Sequence, residues 1–342
     1  MCKISIVFSG PKYKEYAIDY AIDKVTRIFP SAEIIISSND KNLISEIEHN
    51  SYINKIILCD DFGELPSLKF LSPKDKHTNN NINKQIECCL SGIKAATNEI
   101  VLRLRTDQLL LDDSILKLWE KIKSIPLDTT KRGRIITSSI FSINPRYSER
   151  MPYHISDMLQ LGYKEDLISY FSAPAYPFEY ATWYERNPHH PSSNEYERSF
   201  RSRFAVEQWL AMHYMFDGEE NFPISYHNEW DKDIIEHFEN LLSEFFIIAH
   251  PDDIHLRASK FSNYESYYNT QCYSTKESIM LLAKAHPEAE ELVDLYSHKG
   301  MNKKYFIKLM PIIYSPIAQF IIKRLTTENK IKIKNLLNKM TK

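Results

Sequence analysis

Glycine is scarce, with seven in 342 residues, and none of them falls into a GxGxxG or GxxxxGK[ST] spacing. A dinucleotide-binding dehydrogenase and a P-loop enzyme bring backbone N–H groups to phosphate through such loops, so both are disfavoured. Any phosphate handling must then fall to side chains. HExxH and GxSxG are missing too, which disfavours a zincin and an α/β-hydrolase. The five cysteines, Cys2, Cys59, Cys88, Cys89 and Cys272, are odd in number, show no CxxC spacing and include an adjacent pair poorly placed to bridge. A reducing cytosol suits them. No apolar run reaches the roughly 18 residues of a membrane span. The nearest, "LMPIIYSPIAQFII" at 309–322, is interrupted by Pro311, Ser315, Pro316 and Gln319. The N-terminal "MCKISIVFSGPK" carries too short an apolar core for a secretory signal and reads as a first strand.

What is present suits a globular chain with a sizeable core, since 43% of the residues are hydrophobic. The net charge of −2 hides an asymmetry. Residues 299–342 hold eleven Lys or Arg and one acid, a balance of +10, which leaves −12 on residues 1–298. Two readings of this tail stand equal: contact with an anionic membrane surface, or a basic helix that is solvated or packed on the acidic body. Nucleic acid is disfavoured, because the basic stretch is terminal and the body has the opposite sign.

Along the first half, strand and helix alternate. Strands are expected at 3–10, 32–40, 54–61 and from 100, with helices at 14–29, from 42, and at 83–97. Four β-α units in a row predict an open, doubly wound, mostly parallel sheet. A further helix is expected over 112–122 and a strand over 133–141. Ligands bind such sheets at the carboxyl ends of the strands, which collects "SGP" (Ser9, Gly10, Pro11), "SSND" ending in Asp40, "CDD" at 59–61 and "RTD" at 105–107 along one rim. The stretch 142–203 is rich in Tyr, Phe, Trp, His and Pro. It suits recognition of a ring-bearing molecule and a second small core equally well.

In "IVLRLRTD" (100–107), Ile100, Leu102 and Leu104 share one face, and Val101, Arg103, Arg105 and Asp107 the other. Charges inside a sheet cost several kcal/mol each unless they are paired or visited by charge. Arg103 and Arg105 are therefore candidate forks for a phosphate, with Lys84 as a point charge. Lys84 opens the helix after Asn79, Asn80 and Asn81, one of which is expected to cap it. Asp40 could touch a base or ribose or be a plain turn residue, and His189 and His190 supply no zinc site.

"ISIVFSGP" (4–11), "NNNINKQIECCLSGIKAATNEIVLRLRTD" (79–107), "PYHISDMLQLGYKEDL" (152–167) and "FAVEQWL" (204–210), in that order, resemble the WavE family of lipopolysaccharide biosynthesis proteins. More distantly they resemble the GT-A glycosyltransferases. The most specific parts are Asn81, Asn83, Lys84 and Gln85 leading to the RTD strand end, and "PYHISDMLQLG"; "FFIIAHPDDIHLRASKF" (245–261) looks like the closing segment. The resemblance implies a GT-A-like α/β fold over residues 1–262, a helical extension with the basic tail over 263–342, and an inverting sugar transfer. The donor would be a nucleotide-sugar and the acceptor a lipid-linked or lipooligosaccharide glycan, on the cytoplasmic side of a bacterial envelope.

By the same resemblance, Ser9, Gly10, Pro11, Asp40, Asn83, Lys84, Arg103 and Arg105 would hold the donor. Asp107 stands where GT-A enzymes keep the last acid of DxD, holding a divalent ion, Mn or Mg, against the diphosphate. Arg105 occupies the first acidic position, and an arginine can neutralise phosphate without a metal. His250 is a late metal-ligand candidate. Glu207 is the first choice of general base, from its place in the first turn of a helix with an apolar stripe of Ala205, Trp209, Met212 and Phe216, with Asp157 and His154 as alternatives. A phosphotransferase or nucleotidyltransferase, and a non-catalytic assembly partner, are the competing classes.

Overall fold

A computed structural model of the chain describes residues 3–70, 79–147, 149–194, 197–258 and 261–296, and beyond these 312, 315–326, 328–330 and 332–333. Strands β1 (Ile4–Ser9), β2 (Glu33–Ser38), β3 (Lys55–Leu58) and β4 (Ile100–Arg105) lie parallel, in the order β3, β2, β1, β4. Helices α1 (Ile18–Ile28), α2 (Lys41–Ile47) and α3 (Ile82–Ala95) make the connections. After β4 come a short strand β5 (Gln108–Leu110), α4 (Ser114–Ile122), β6 (Ile135–Ser138) and β7 (Leu159–Tyr163).

The second half continues with α5 (Lys164–Phe171), α6 (Phe178–Ala181), α7 (Val206–Met215) and α8 (Lys232–Phe245). Then follow β8 (Phe246–Ala249), β9 (Leu256–Ala258), α9 (Phe261–Gln271), α10 (Thr275–Ala285), α11 (Glu290–Val293) and α12 (Pro316–Arg324). The main sheet has seven strands, β3-β2-β1-β4-β7-β6-β8, in which β7 alone is antiparallel to its neighbours. The expected mostly parallel sheet flanked by helices is thus observed. β5 and β9 form a separate two-stranded pair.

Alternation along the strands sorts side chains into two cores, one on each face of the sheet. Ile4, Ile6, Phe8, Ile100, Leu102 and Leu104 pack with α1 and α4. Val7, Ile35 and Val101 pack with α3, α5, α7 and α8. The aromatic stretch builds part of this second core, with Tyr153, Tyr170 and Tyr176 all but fully buried. Helix α7 is buried on nearly every side, Val206, Gln208, Trp209, Leu210, Ala211, Met212 and Tyr214 included, rather than along one stripe. Phe261, Cys272, Ile279, Leu282 and Leu292 belong to the first core, so the chain after 263 begins inside the core of the part before it.

The stretch "PYHISDML" is extended and enters β7. Leu159 and Leu161 face the first core and Gln160 the other side, which is the period of a strand. Because β7 is antiparallel, its start lies beside the end of β4, with Leu159 opposite Leu104. The residues just before it are thereby delivered to the carboxyl rim. Of the expected basic extension, residues 297–311 and 334–342 lie outside the described residues, and α12 is helical. Among the described residues no helix is long and apolar enough to cross a membrane.

Candidate active site

Strand order reverses between β1 and β4, the switch point at which open α/β sheets leave a crevice. A cavity of about 290 Å³ occupies it. Ser9, Gly10 and Pro11 from the end of β1, Lys84 and Gln85 from the first turn of α3, Arg103 and Arg105 from β4, and Asp157 from the segment before β7 all line it. Gly10 has φ of 133°, and a Cβ there would meet Thr106 Oγ1 at 3.1 Å, so the turn requires glycine. Ser38 Oγ donates to Gly10 C=O at 2.7 Å and Thr106 Oγ1 to Pro11 C=O at 2.6 Å, fixing the turn.

Arg103 is 2% exposed. Its Nε donates to Ser9 Oγ at 2.7 Å, and its Nη1 to the Asp157 carbonyl and to Gln160 Oε1. These partners are neutral, and among the described residues Arg103 makes no ion pair with a carboxylate. Arg134, equally buried, donates to three backbone carbonyls and also has Glu244 Oε2 at 3.4 Å. A buried guanidinium facing a cavity, with neutral atoms as its hydrogen-bond partners, is a place for an anion.

Arg105 is held differently. Its Nε and Nη2 donate to Asp107 Oδ1 and Oδ2 at 2.9 and 3.0 Å, and Nη2 also donates to Tyr13 Oη at 2.6 Å. Burial works against the Arg105 charge, but Tyr13 and Asp107 outweigh it and hold the guanidinium above its usual pKa. Burial likewise raises the Tyr13 phenol. Asp107 itself is 0% exposed and does not line the cavity. Lys84 pairs with Asp61 at 3.0 Å and Glu64 at 3.7 Å. The helix behind Lys84 is started by Asn80, whose Oδ1 accepts from Ile82 N at 3.0 Å.

The candidate bases separate. Asp157 stands in the cavity wall, its Oδ2 accepting from Gln85 Nε2 at 2.7 Å. Glu207 and His154 lie outside the lining, with His154 Nε2 3.5 Å from Glu207 Oε2. His154 Nδ1 donates to Phe141 C=O at 2.7 Å, and burial drives its pKa down to about 4, leaving the ring neutral at pH 7. Phe141 and Tyr153, on the two sides of this bond, both have positive φ, 66° and 61°.

Three expected contacts are redirected by local partners. Asn83 gives both amide atoms to the backbone of Tyr176, which anchors α3 to the loop before α6 rather than facing the cavity. Asp40 caps α2, accepting from Asn42 N and Leu43 N, and also holds Lys12 N. Its neighbour Asn39 is the residue in the cavity wall. His250 bonds Asn269 Oδ1 at 2.8 Å through Nε2 and accepts from Asp252 N through Nδ1. Its strand β8 is three positions from β4 in the sheet, about 14 Å at usual strand spacing. Tyr13, Asn39 and Gln85 were not singled out by the sequence, although Asn39 sits in the SSND strand end and Gln85 in the NxNKQ stretch.

The divalent ion expected at Asp107 and His250 does not suit these residues as they stand. Both Asp107 oxygens are taken by Arg105 and the carboxylate is shielded, while both His250 nitrogens are engaged. Among the described residues no cluster of three His, Cys, Asp or Glu side chains could hold a metal.

No curated protein sequence matches this chain. Several solved structures overlap with it weakly. The glycosyltransferase GlyE of Streptococcus pneumoniae TIGR4 does so at TM-score 0.28 and 13% identity, over 48% of this chain and 35% of its own. S. aureus TarS 1–349 in complex with UDP overlaps at 0.32 and 12%, over 96% and 77%. The galactosyltransferase LgtC in complex with donor and acceptor sugar analogs overlaps at 0.32 and 13%, over 61% and 69%. This chain spans less than two thirds of the length of GlyE and of full TarS, 35% and 42%. Overlaps this weak say nothing of activity. A family profile reaches much further, matching residues 4–324, and so the chain belongs to the WavE lipopolysaccharide synthesis family.

Proposed function

We propose that this protein is a GT-A-type glycosyltransferase that moves a sugar from a nucleotide-diphosphate donor to a bacterial surface glycan, with inversion at the anomeric carbon. The observation that carries the reading is Arg103, a buried cation at the switch-point cavity whose hydrogen bonds among the described residues all go to neutral atoms. The leaving diphosphate is the charge it awaits. Arg103 and Arg105 meet the phosphate oxygens, and the first turn of α3 adds its dipole and Lys84. Asp107 does not touch the donor; it positions Arg105. Neutralising charge that develops on a leaving group in a water-poor site is commonly the largest catalytic contribution.

Asp157 is assigned as the general base that takes the acceptor hydroxyl proton, ahead of Glu207, because it is the candidate in the cavity wall. Glu207 and His154 are assigned to holding the segment that carries it. The acceptor is a lipid-linked or lipooligosaccharide glycan. α12 supports delivery of the chain to the inner face of the cytoplasmic membrane, since Ile317, Phe320 and Ile321, at helical spacing, are 75%, 57% and 54% exposed in a tail of net charge +10.

A thermal-shift panel of nucleotides and nucleotide-sugars on the wild type and Arg103→Met tests the reading. One nucleoside diphosphate should stabilise the wild type and leave Arg103→Met unmoved. No shift with any of them sinks the proposal. Mass spectrometry of the product separates a bare sugar from a phosphoryl-containing unit. For the membrane contact, sedimentation with phosphatidylglycerol vesicles should exceed that with phosphatidylcholine and fall in Phe320→Glu; equal binding to both refutes it.

A further inference from the structure

Tyr13 lies in the loop between β1 and α1 and lines the cavity beside Arg103 and Arg105. The loop is pinned on both sides of it. Lys12 N donates to Asp40 Oδ2 at 2.9 Å, Thr106 Oγ1 to the Pro11 carbonyl at 2.6 Å, and Tyr16 N to the Tyr13 carbonyl at 3.2 Å. Arg105 Nη2 donates to the Tyr13 oxygen at 2.6 Å, and the guanidinium carbon lies 5.4 Å from the centre of the ring. The phenol is held in place by the protein alone.

The direction of the bond to Arg105 decides what the phenol can still do. A guanidinium carries N–H donors and no acceptor, so in this pair Arg105 gives and Tyr13 receives. The phenolic proton is left over, and no hydrogen bond among the described residues takes it up. Burial holds the phenol above its ordinary pKa, so it keeps that proton at neutral pH. A hydroxyl whose oxygen already accepts from a cation is polarised, which strengthens the hydrogen bond it donates.

We propose that the Tyr13 hydroxyl donates to a phosphate oxygen of the bound nucleotide-sugar, so that phenol and guanidinium grip the leaving diphosphate side by side. An oxygen that accepts from the phenol at about 2.7 Å lies within roughly 5 Å of Arg105 Nη2. A phosphate offers acceptor oxygens and negative charge together, which is what a hydroxyl proton and two guanidiniums in one wall can all engage. The contact rests on the nucleotide-diphosphate reading of the cavity and adds to it a neutral group that recognises the same phosphate.

Calorimetric titration of the full chain with UDP, GDP, CDP and inorganic pyrophosphate tests it. Tyr13→Phe keeps the ring and removes the hydroxyl, so a role confined to ring contact survives the change. It should weaken the nucleotide that binds the wild type, and pyrophosphate with it, by about tenfold to a hundredfold. Because Tyr13 also meets Arg105, the same substitution is made in Arg105→Met, where direct donation predicts a further loss of about tenfold. No further loss there would reduce Tyr13 to a support for Arg105 and overturn the proposal. Equal affinity of Tyr13→Phe and wild type overturns it as well, as does a loss with the nucleotide while pyrophosphate binds both proteins equally, which would put the hydroxyl on base or ribose. If no nucleotide binds the wild type, the glycosyltransferase reading fails and the contact fails with it; the other outcomes leave that reading standing.

Discussion

Arg105 and Asp107 are joined by two parallel hydrogen bonds of 2.9 and 3.0 Å, and the carboxylate is the more deeply buried of the two. The pair is built around the arginine: Asp107 fixes one edge of the guanidinium and Tyr13 meets Nη2. Asp107→Asn keeps the shape and removes the anchor charge, so donor affinity should fall by about tenfold to a hundredfold, close to the fall in Arg105→Met. The double variant should be no worse than the worse single, because one role is removed twice. Nucleotide titrations in EDTA and with added Mn check this. A loss in Asp107→Asn far beyond that of Arg105→Met, relieved by Mn, would instead make Asp107 an ion ligand.

Asp157 reaches the cavity because β7 runs against β4, and Gln85 holds its Oδ2 at 2.7 Å. Asp157→Asn preserves that bond and removes the base. Its kcat should drop by about 10² to 10⁴ with donor KM nearly unchanged, the range of a lost general base. Glu207→Gln should have a smaller effect on kcat. Steady-state kinetics on both variants decide between the two carboxylates, and the reverse order would return the base to Glu207.

His154 and His227 are buried in neutral form, with pKa values driven down by burial to about 4 and about 3 from an ordinary 6.5. Below pH 6.5 the unfolded chain binds protons that the folded chain refuses. Their contribution is therefore fully present above pH 6.5 and is lost as pH falls toward 4, by up to about 1.4 kcal/mol per pH unit for each. Urea midpoints should decline from pH 7 to pH 5 and decline less steeply in His154→Gln. An equal slope in that variant would assign the loss elsewhere.

The parallel half of the sheet was legible because β1, β2, β3 and β4 are short apolar runs between amphipathic helices. Ser9, Gly10, Pro11 and Arg105 followed from the rule that such strands open onto a ligand at their carboxyl ends, Arg103 from the cost of charge inside a strand, and Lys84 from its place at a helix start. Asp157 ranked only as an alternative base because "PYHISDML" has no pattern of its own; the strand that brings it to the rim, β7, pairs through Leu159 with Leu104, which only the fold supplies. Asp40, Asn83 and His250 lie outside the cavity lining for a common reason. Each is a short polar side chain that found a backbone or side-chain partner within its own neighbourhood, which a spacing argument cannot see. That the charges of the RTD strand end must be paired or visited by charge was legible, but which groups pair, Arg105 with Asp107, only coordinates could show.

Gly92 sets how closely α3, and with it Lys84 and Gln85, approaches the sheet. A Cβ there would lie 2.5 Å from Val7 Cγ1 and 2.8 Å from Ser37 Cβ, distances no core tolerates without movement. Neither neighbour can yield easily: Val7 is fully buried in β1, and Ser37 is fixed by its bond to the Cys88 carbonyl. The favourable helix propensity of alanine, about 1 kcal/mol over glycine, is thus opposed by overpacking of about 1 to 3 kcal/mol. Gly92→Ala should lower the urea midpoint, and because the shift tilts the helix that lines the cavity, it should weaken donor binding as well. A variant as stable as wild type, with unchanged nucleotide affinity, would mean that α3 can lift from β1 and β2 without disturbing the cavity it borders.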